Sequence, residues 1–295
     1  MEAQQQAGKE RMPTLDTETV RLHYQSHGQG SRALVFVHGN LGCLQWMDLV
    51  WPWLSPALRV HAYDWRGCGD SAKPAPTADY SNYSLETHAT DLIAFIDALG
   101  LERVDLITHS TGALIADIAM LRAPERFGEI LALDPVTPRS LPFDEQALGL
   151  FQAMKADRAV AHAGLATAAP TLFEPDSLQA GQAPRYRAAS TPEQQACFET
   201  LVDHTRKLSD GIWFGIPQHL NRLHHSGEFA GRLGELPQRR RILWGEQDLW
   251  IPRADVEAMN AGLPNAELRI LPGVGHAMNL EAPEDFAAQV NDFFT

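Results

Sequence analysis

Short apolar segments alternate with amphipathic ones along this chain, and this alternation constrains the fold more than any other feature. Each short segment is rich in Val, Ile, Leu or Phe, suits one buried strand, and ends at a Gly, a Pro or a polar residue. The strand-like segments comprise residues 33–37, 58–63, 103–107, 129–133, 240–244 and 267–271. The helix-like segments comprise residues 85–99, 111–123 and 283–294. Such alternation predicts an α/β fold with a doubly wound, mostly parallel sheet, to which residues 19–27 add an antiparallel edge strand.

One long region interrupts this alternation. Residues 136–238 contain no strong strand pattern and are rich in Ala, Gln and Pro with short helical patterns. A connection from strand to helix typically takes about 2–6 residues, so this region is far too long to be one. We therefore predict a helical cap over residues 136–238, inserted into a core that comprises residues 19–135 and 239–295. Residues 1–18 are expected to be a flexible N-terminus, and the three arginines at residues 239–241 a solvated entrance to a strand.

The charge and the cysteine content exclude several classes of partner and site. With 37 acidic against 24 basic residues, the formal net charge is −13, which repels nucleic acid and anionic membrane surfaces. The cysteines Cys43, Cys68 and Cys197 are odd in number and far apart, which argues against a disulfide framework or a zinc site. The N-terminus lacks the apolar segment of a secretory signal, and no apolar run is long enough to span a membrane. We expect a cytoplasmic protein without a nucleic-acid partner or membrane insertion, whose oligomeric state is left open.

A serine lies where a predicted strand meets a predicted helix. Residues 108–112 read THSTG, which places Ser110 at a sharp turn that lifts its hydroxyl above the end of a sheet. The usual pattern at such a turn is G-x-S-x-G, and Thr108 occupies the position of the first glycine. Taken alone, the pentapeptide fits equally well a serine that caps the N-terminus of an ordinary helix. Ser110 is the candidate nucleophile, and His109 beside it is expected to shape the turn.

Residues 38–41, with the sequence HGNL, directly follow another predicted strand. Acyl transfer places negative charge on the carbonyl oxygen of the substrate, so backbone N–H groups must point at that oxygen. The loop after this strand can supply one donor, from Asn40 or Leu41, and the N–H group of Thr111 can supply another. Taken alone, the segment fits an ordinary strand-to-helix turn as well.

Two further segments supply a candidate acid and a candidate base. Asp248 follows the strand at residues 240–244, and a carboxylate there can accept the Nδ1–H of a histidine and fix its tautomer. Asp134, at the end of another strand, competes for this role and ranks second because it begins the predicted cap. His276 lies in a glycine-rich loop after the last strand and is the candidate base. Ligands in open α/β sheets bind at the carboxyl ends of the strands, where all four motifs fall.

Two more segments match a known family. Residues 64–71 read DWRGCGDS, which is similar to the D-x-R-G-x-G-x-S loop of the α/β-hydrolase superfamily, and residues 281–283 (EAP) also match. With the chain order serine, aspartate, histidine, which is that of α/β-hydrolases, the chain resembles this superfamily over residues 19–295. The resemblance implies that the arginine loop is structural. Dehalogenases and epoxide hydrolases of the superfamily use an aspartate at the position of Ser110, whereas a serine suits acyl-enzyme chemistry.

These motifs predict a serine hydrolase that cleaves a carboxylic ester or lactone through an acyl-enzyme, with no metal or organic cofactor. A C–C bond hydrolase and an aminopeptidase or amidase on the same residues are alternatives, as is a non-catalytic ligand-binding protein with this fold. The predicted cap is rich in large apolar side chains, so we expect a small apolar substrate. Trp213 and Phe214 would point about 100° apart on a helix, and one of them is expected to face the pocket, together with His109.

Overall fold

The computed structural model describes residues 13–295, so most of the predicted flexible N-terminus lies outside the described residues. The strands are β1 (Thr14–Asp16), β2 (Arg21–His27), β3 (Arg32–Val37), β4 (Leu58–Tyr63), β5 (Val104–His109), β6 (Phe127–Leu133), β7 (Arg240–Gly245) and β8 (Ala266–Leu271). The α-helices are α1 (Leu85–Ala98), α2 (Thr111–Arg122), α3 (Glu145–Ala156), α4 (Arg158–Ala166), α5 (Pro192–Thr205), α6 (Ile216–Ser226), α7 (Arg253–Gly262), α8 (Met278–Glu281) and α9 (Pro283–Phe294). None of the helices in this part of the chain has the length and apolar character that crossing a membrane requires.

The eight strands form one sheet in the spatial order β1-β2-β4-β3-β5-β6-β7-β8. From β4 to β8 in this order every neighbouring pair is parallel, whereas β2 is antiparallel to β4 and β1 is antiparallel to β2. The parallel strands coincide with the six apolar segments, and the predicted α/β fold is confirmed. Residues 34–37 of β3 are fully buried, because a parallel strand in the middle of a sheet is covered on both faces.

The N-terminal edge of the sheet departs from the prediction. Residues 14–16, expected to be flexible, form β1, whose Leu15 pairs with Leu22 of β2. One apolar residue between polar neighbours gives almost no strand signal in the sequence. Backbone hydrogen bonds to β2 hold residues 14–16 in place instead. Without β1, the strand β2 would be the unpaired edge of the sheet.

Of the three arginines at residues 239–241, expected as a solvated strand entrance, Arg239 is exposed but Arg240 and Arg241 are not. Arg240 and Arg241 are 1% and 3% exposed, because β7 lies between β6 and β8 in the interior of the sheet. Successive side chains of a strand point to opposite faces. Arg240 forms an ion pair with Asp117 of α2 on one face. Arg241 pairs with Asp292 of α9 on the other face, at 2.7 Å, so the two pairs join the sheet to helices on both sides.

Between β6 and β7 the described chain adds no strand to the sheet. This segment, residues 134–239, is called the insertion below, and it contains α3, α4, α5, α6 and several short 3-10 turns. A π-helical segment, Gly211–Gly215, precedes α6. A Cβ at Gly211 would lie 2.2 Å from the ring of Tyr83, so the insertion packs tightly on the core at this point.

Candidate active site

Ser110 lies at the turn between β5 and α2, where the sequence places it. His109 ends β5, Thr111 begins α2, and Ser110 between them adopts φ 53° and ψ −124°. Positive φ is unfavourable for a residue other than glycine and is often found at functional sites. The turn is held by the N–H of Ser110, which donates to the carbonyl oxygen of Leu133 at 3.0 Å. It presents Ser110 to a cavity at the carboxyl ends of the strands.

Small residues beside Ser110 are required by close contacts with neighbouring atoms. A Cβ at Gly112 would lie 2.2 Å from the carbonyl oxygen of Val37. A Cβ at Gly39 would lie 2.9 Å from the Cβ of Ser110. Thr108, in place of the usual first glycine, is accommodated as a fully buried residue within β5. The turn therefore forms despite this departure from the usual motif.

His276 and Asp248 form a hydrogen-bonded pair beyond the ends of β8 and β7. His276 Nδ1 donates to Asp248 Oδ2 at 2.9 Å, and both side chains are almost completely buried. Asp248 Oδ1 accepts the N–H groups of Trp250 and Ile251 at 2.6 and 3.1 Å. Burial alone would raise the pKa of Asp248, but His276 and these hydrogen bonds outweigh it and hold the pKa below its usual value. Asp248 is therefore ionised at neutral pH and orients the histidine ring.

The serine is not yet hydrogen-bonded to this pair. Within residues 13–295, no hydrogen bond of 3.5 Å or less joins Ser110 to His276, although one joins His276 to Asp248. In enzymes without bound substrate such a contact is often long, and it shortens in the complex. The candidate base and acid are therefore hydrogen-bonded to each other, whereas the proposed hydrogen bond from Ser110 to His276 is not formed among the described residues.

Asp134, the competing acid, lies beside the pair. One oxygen of Asp134, one oxygen of Asp248 and a ring nitrogen of His276 lie within 4.8 Å of one another. Asp134 Oδ1 accepts the N–H of Gly245 at 2.8 Å, and the hydrogen bond of His276 Nδ1 goes to Asp248. Carboxylates and an imidazole are also the donor types of a metal site. His276 Nδ1 is hydrogen-bonded to Asp248 Oδ2, and Asp248 Oδ1 accepts backbone N–H groups. This arrangement fits a base that is oriented by an acid.

His109 does not line the cavity, contrary to the prediction that placed it in the pocket. It is 3% exposed, and its Nε2–H donates to the backbone carbonyl oxygen of His276 at 2.9 Å. Burial lowers the pKa of His109 to about 3, so the ring is neutral. The bond to a carbonyl oxygen places the single ring proton on Nε2. His109 therefore lies behind the wall of the site and positions the loop that carries His276.

Two further residues hold this loop: Trp250, which the sequence did not single out, and Glu281, to which the family resemblance gave no role. The indole of Trp250 stacks on the ring of His276, with centroids 5.2 Å apart, and its Nε1–H donates to Thr167 Oγ1 at 2.9 Å. Glu281 accepts the N–H of the residue before His276 at 2.8 Å and the hydroxyl of Thr171 at 2.7 Å. Both residues therefore connect the loop to the insertion. The sequence signal for Trp250 was only its position two residues after Asp248, whereas Glu281 belongs to the EAP segment that matches the family.

A cavity of about 1200 Å³ opens at Ser110. Asn40, Leu41 and Thr111 form part of its wall. Leu41 has φ 57°, and the N–H groups of Asn40, Leu41 and Thr111 make no hydrogen bond within the described residues. Free N–H groups beside a serine are suited to bind an oxyanion. The insertion supplies most of the remaining wall, whose larger apolar side chains are Val136, Leu141, Phe143, Leu150, Phe151, Met154, Val160, Leu178 and Leu220.

Neither Trp213 nor Phe214 lines this cavity, so the expectation that one of them faces it is wrong. Trp213 is 2% exposed and packs against Phe151 with ring centroids 6.4 Å apart. Because Phe151 of α3 lines the cavity, Trp213 lies behind the wall. Phe214 borders a separate hollow, with Lys155 Nζ 5.1 Å from the centre of its ring.

Known proteins resemble this chain over nearly its whole length. The model of a family described as alpha/beta hydrolase family matches residues 34–289. The 2-hydroxy-6-oxononadienedioate/2-hydroxy-6-oxononatrienedioate hydrolase 2 of Pseudomonas putida is 26% identical over 281 residues, which cover 93% of this chain and 91% of that protein. A solved structure of an N-acyl homoserine lactone degrading enzyme is 25% identical with a TM-score of 0.68, covering 95% of this chain and 100% of the other. An enol-lactonase from Burkholderia xenovorans LB400 shares the fold, with a TM-score of 0.75 at 18% identity and coverage of 95% and 99%.

Proposed function

This chain belongs to the alpha/beta hydrolase family and is a hydrolase, and we propose that it cleaves a carboxylic ester or a lactone through an acyl-enzyme on Ser110. One observation carries the proposal. At the carboxyl ends of the strands, the strained turn of Ser110 and free backbone N–H groups line one cavity, and Trp250, which also lines it, stacks on His276 of the hydrogen-bonded His276–Asp248 pair. Acyl transfer needs a nucleophile, a base, an acid that orients the base, and donors for an oxyanion, and these groups supply each of them.

In the proposed reaction, His276 takes the proton of Ser110 Oγ as the serine attacks the carbonyl carbon of the substrate. The N–H group of Thr111 and that of Asn40 or Leu41 donate to the oxyanion that forms. His276 then gives its proton to the leaving alcohol oxygen as the bond from that oxygen to the carbonyl carbon breaks. His276 then takes a proton from water as it attacks the acyl carbon, and returns that proton to Ser110 Oγ as the bond from Oγ to this carbon breaks, which releases the acid and free Ser110. Asp248 stays ionised and holds the ring of His276 throughout.

The cavity favours a neutral substrate with an apolar acyl or alcohol group. Among the described residues that line it, Arg158 is the only lysine or arginine. Arg158 already forms ion pairs with Glu199 at 2.7 Å and with Asp203 at 2.6 Å, so its charge is balanced. The relative from Pseudomonas putida is named for a dioate, which carries two carboxylates. This wall would remove water from both carboxylates without offering a free cation to pair with them. We therefore place an ester or lactone first.

A C–C bond hydrolase is the second candidate. It is favoured by the similarity to the Pseudomonas putida hydrolase, whose substrate is by its name an oxo acid. The same serine, base and oxyanion donors serve for attack on a ketone, so the geometry alone does not separate the two reactions. The two reactions are distinguished by comparing the rates on an ester, a lactone and an oxo acid.

We further propose that residues 136–238 act as a cap that selects the substrate. α3 and α4 contribute much of the apolar wall, whereas Ser110 and its neighbours come from the sheet domain. Pockets of this kind bind mainly through apolar contact, with a few polar groups that fix orientation. The cytoplasmic location expected from the sequence stays a prediction.

Active-site labelling with a fluorophosphonate tests whether Ser110 is an activated nucleophile. We expect wild-type protein to be labelled and Ser110→Ala not to be, with kcat lower by a factor on the order of 10⁶ and an unchanged Tm. Ser226→Ala, at an exposed serine of α6, is the matched control and keeps both labelling and activity. Activity above a tenth of wild type in Ser110→Ala would contradict the proposal, and absence of labelling in wild type would favour a ligand-binding protein.

The reaction class is tested with p-nitrophenyl esters, lactones, p-nitroanilides and a 6-oxo-dienoic acid at equal concentration. We expect kcat/KM to be highest for an ester or a lactone with an apolar chain. A higher value for the oxo acid would identify a C–C bond hydrolase, and a higher value for an anilide would identify an amidase. Either result would overturn the choice of ester or lactone while leaving the role of Ser110 intact.

A further inference from the structure

Asp134 is buried beside the candidate acid and base, and the proposed reaction gives it no role. The residue is 0% exposed. Its Oδ1 accepts the N–H of Gly245 at 2.8 Å, and its Oδ2 has no hydrogen-bond donor among residues 13–295. One of its oxygens lies within 4.8 Å of both an oxygen of Asp248 and a ring nitrogen of His276. A buried carboxylate that faces another carboxylate, with a single N–H to stabilise it, is strongly unfavourable unless it takes up a proton.

The hydrogen bonds decide which of the two carboxyl groups holds that proton. Asp248 accepts from two backbone N–H groups and from His276, and all three bonds stabilise its ionised form. Asp134 accepts from one N–H group only. Burial, followed by the charge of Asp248, raises the pKa of Asp134 well above its ordinary value, and the Glu281 carboxylate acts in the same direction. The pair therefore carries one proton at neutral pH, on Asp134.

We propose that Asp134 is a neutral carboxylic acid whose O–H donates a hydrogen bond to the Asp248 carboxylate and thereby positions it. This inference rests on the proposed function in one respect, which is that Asp248 orients His276 as the base. The O–H gives a partner to the oxygen of Asp134 that has none. It also fixes the side chain of Asp248, which in turn holds the ring of His276 through the Nδ1 hydrogen bond. Asp134 does not line the cavity and is a positioning residue.

The backbone of Asp134 permits a sharp test by substitution. Its φ is 42°, a region that Asp and Asn adopt more readily than other residues with a side chain. Asparagine keeps an oxygen for the N–H of Gly245 and offers an amide N–H to Asp248, but it has no proton to lose near neutral pH. Alanine keeps neither group. Asp134→Asn therefore preserves the proposed hydrogen bonds, and Asp134→Ala removes them.

The first measurement is the pH profile of kcat/KM for one ester, from pH 5 to pH 9, in wild type and both variants. We expect Asp134→Ala to lower kcat about 10–100-fold with little change in KM, because the acid and base lose their alignment. Asp134→Asn should restore most of that loss and leave the acidic limb of the profile where it is in wild type. If Asp134 were ionised, its replacement by a neutral group would move that limb to lower pH. Such a shift, or an equal loss in both variants, would overturn the proposal.

The second measurement is Tm against pH, which does not depend on activity. Because the folded protein holds a proton on Asp134 that the unfolded chain releases above about pH 4, stability supplied by this residue is lost as the pH rises. Asparagine has no such loss, so the Tm of Asp134→Asn relative to wild type should increase from pH 4 to pH 8. Asp285→Asn, at an exposed carboxylate of α9, should show a constant difference. A constant difference for Asp134→Asn as well would refute the neutral acid, whereas an active Ser110→Ala would refute only the proposed function.

Discussion

The indole of Trp250 stacks on the imidazole of His276, with ring centroids 5.2 Å apart and planes 25° apart. The same indole donates its Nε1–H to Thr167 Oγ1, which follows α4 in the insertion. Trp250 also lines the cavity. One side chain thus contacts the candidate base, the insertion and the space for the substrate, so its loss should disturb the orientation of the base as well as binding.

We expect Trp250→Ala to lower kcat about 10–100-fold, because a base displaced by about 1 Å loses its alignment with the serine. Trp250→Phe keeps an aromatic ring against His276 and should retain most of kcat, although it loses the hydrogen bond to Thr167. Trp53→Ala is the control, since Trp53 is 49% exposed. The measurement is kcat and KM separately for one ester. A kcat within twofold of wild type in Trp250→Ala would show that the stacking does not orient the base.

Asp248→Asn should lower kcat by about 10⁴, because an amide stabilises the wrong tautomer of the histidine, as in the reference serine protease. The hydrogen bond of His276 goes to this residue, which makes it the acid in the proposed reaction. Asp285→Asn, at an exposed position, serves as the control for removal of one carboxylate. Steady-state kinetics on the best ester measures the effect. Retention of more than a tenth of wild-type kcat would remove Asp248 from the mechanism.

The inner parallel strands could be predicted because they are covered on both faces and therefore carry apolar runs, as residues 34–37 show. The edge strand β1 is not covered on both faces, and its three residues show no apolar run in the sequence. The burial of Arg240 could not be predicted for a different reason. Its charge suggested solvent, but its partner Asp117 lies 123 residues away in the chain, and no local pattern reports such a pair.

The candidate catalytic residues could be located because each follows a strand, and the carboxyl ends of parallel strands meet at one edge. Their roles stay predictions. The stacking of Trp250 and the burial of Asp134 beside Asp248 could not be found in this way, because they depend on distances between separate loops. Trp213 was misplaced because composition shows that a segment is apolar but not which side chains reach the cavity and which pack behind its wall.

Buried neutral histidines should make the protein sensitive to acid, and His38 is the clearest case. Its Nδ1–H donates to the carbonyl oxygen of Gly39 at 2.7 Å, and its Nε2 accepts the N–H of Trp65 at 3.2 Å. Burial lowers the pKa of His38 to about 4. The unfolded chain binds a proton near pH 6.5, so the stability that the neutral ring supplies is present above that pH and is lost as the pH falls toward 4.

We expect the free energy of unfolding to fall on acidification with a contribution from His38 of up to about 1.4 kcal/mol per pH unit. His38→Gln should be less stable at pH 7 but should show a shallower loss between pH 6.5 and pH 4. His225→Gln, at an exposed histidine of α6, should keep the wild-type slope. Urea unfolding at a series of pH values measures both. Equal slopes in wild type and His38→Gln would mean that His38 is protonated in the folded protein.

Filling the cavity from the insertion should change substrate choice. Ala163 of α4 lines the cavity, and Ala163→Leu adds three carbon atoms to its wall. A substrate group that no longer fits by one or more methylenes is discriminated by about 10–200-fold. We therefore expect kcat/KM for long-chain p-nitrophenyl esters to fall by at least tenfold, while that for the acetyl ester changes less than threefold. Ala153→Leu, at an exposed position of α3 outside the cavity wall, should leave the whole series unchanged. An equal loss for short and long esters would mean that Ala163→Leu damages the catalytic groups and that chain length is selected elsewhere.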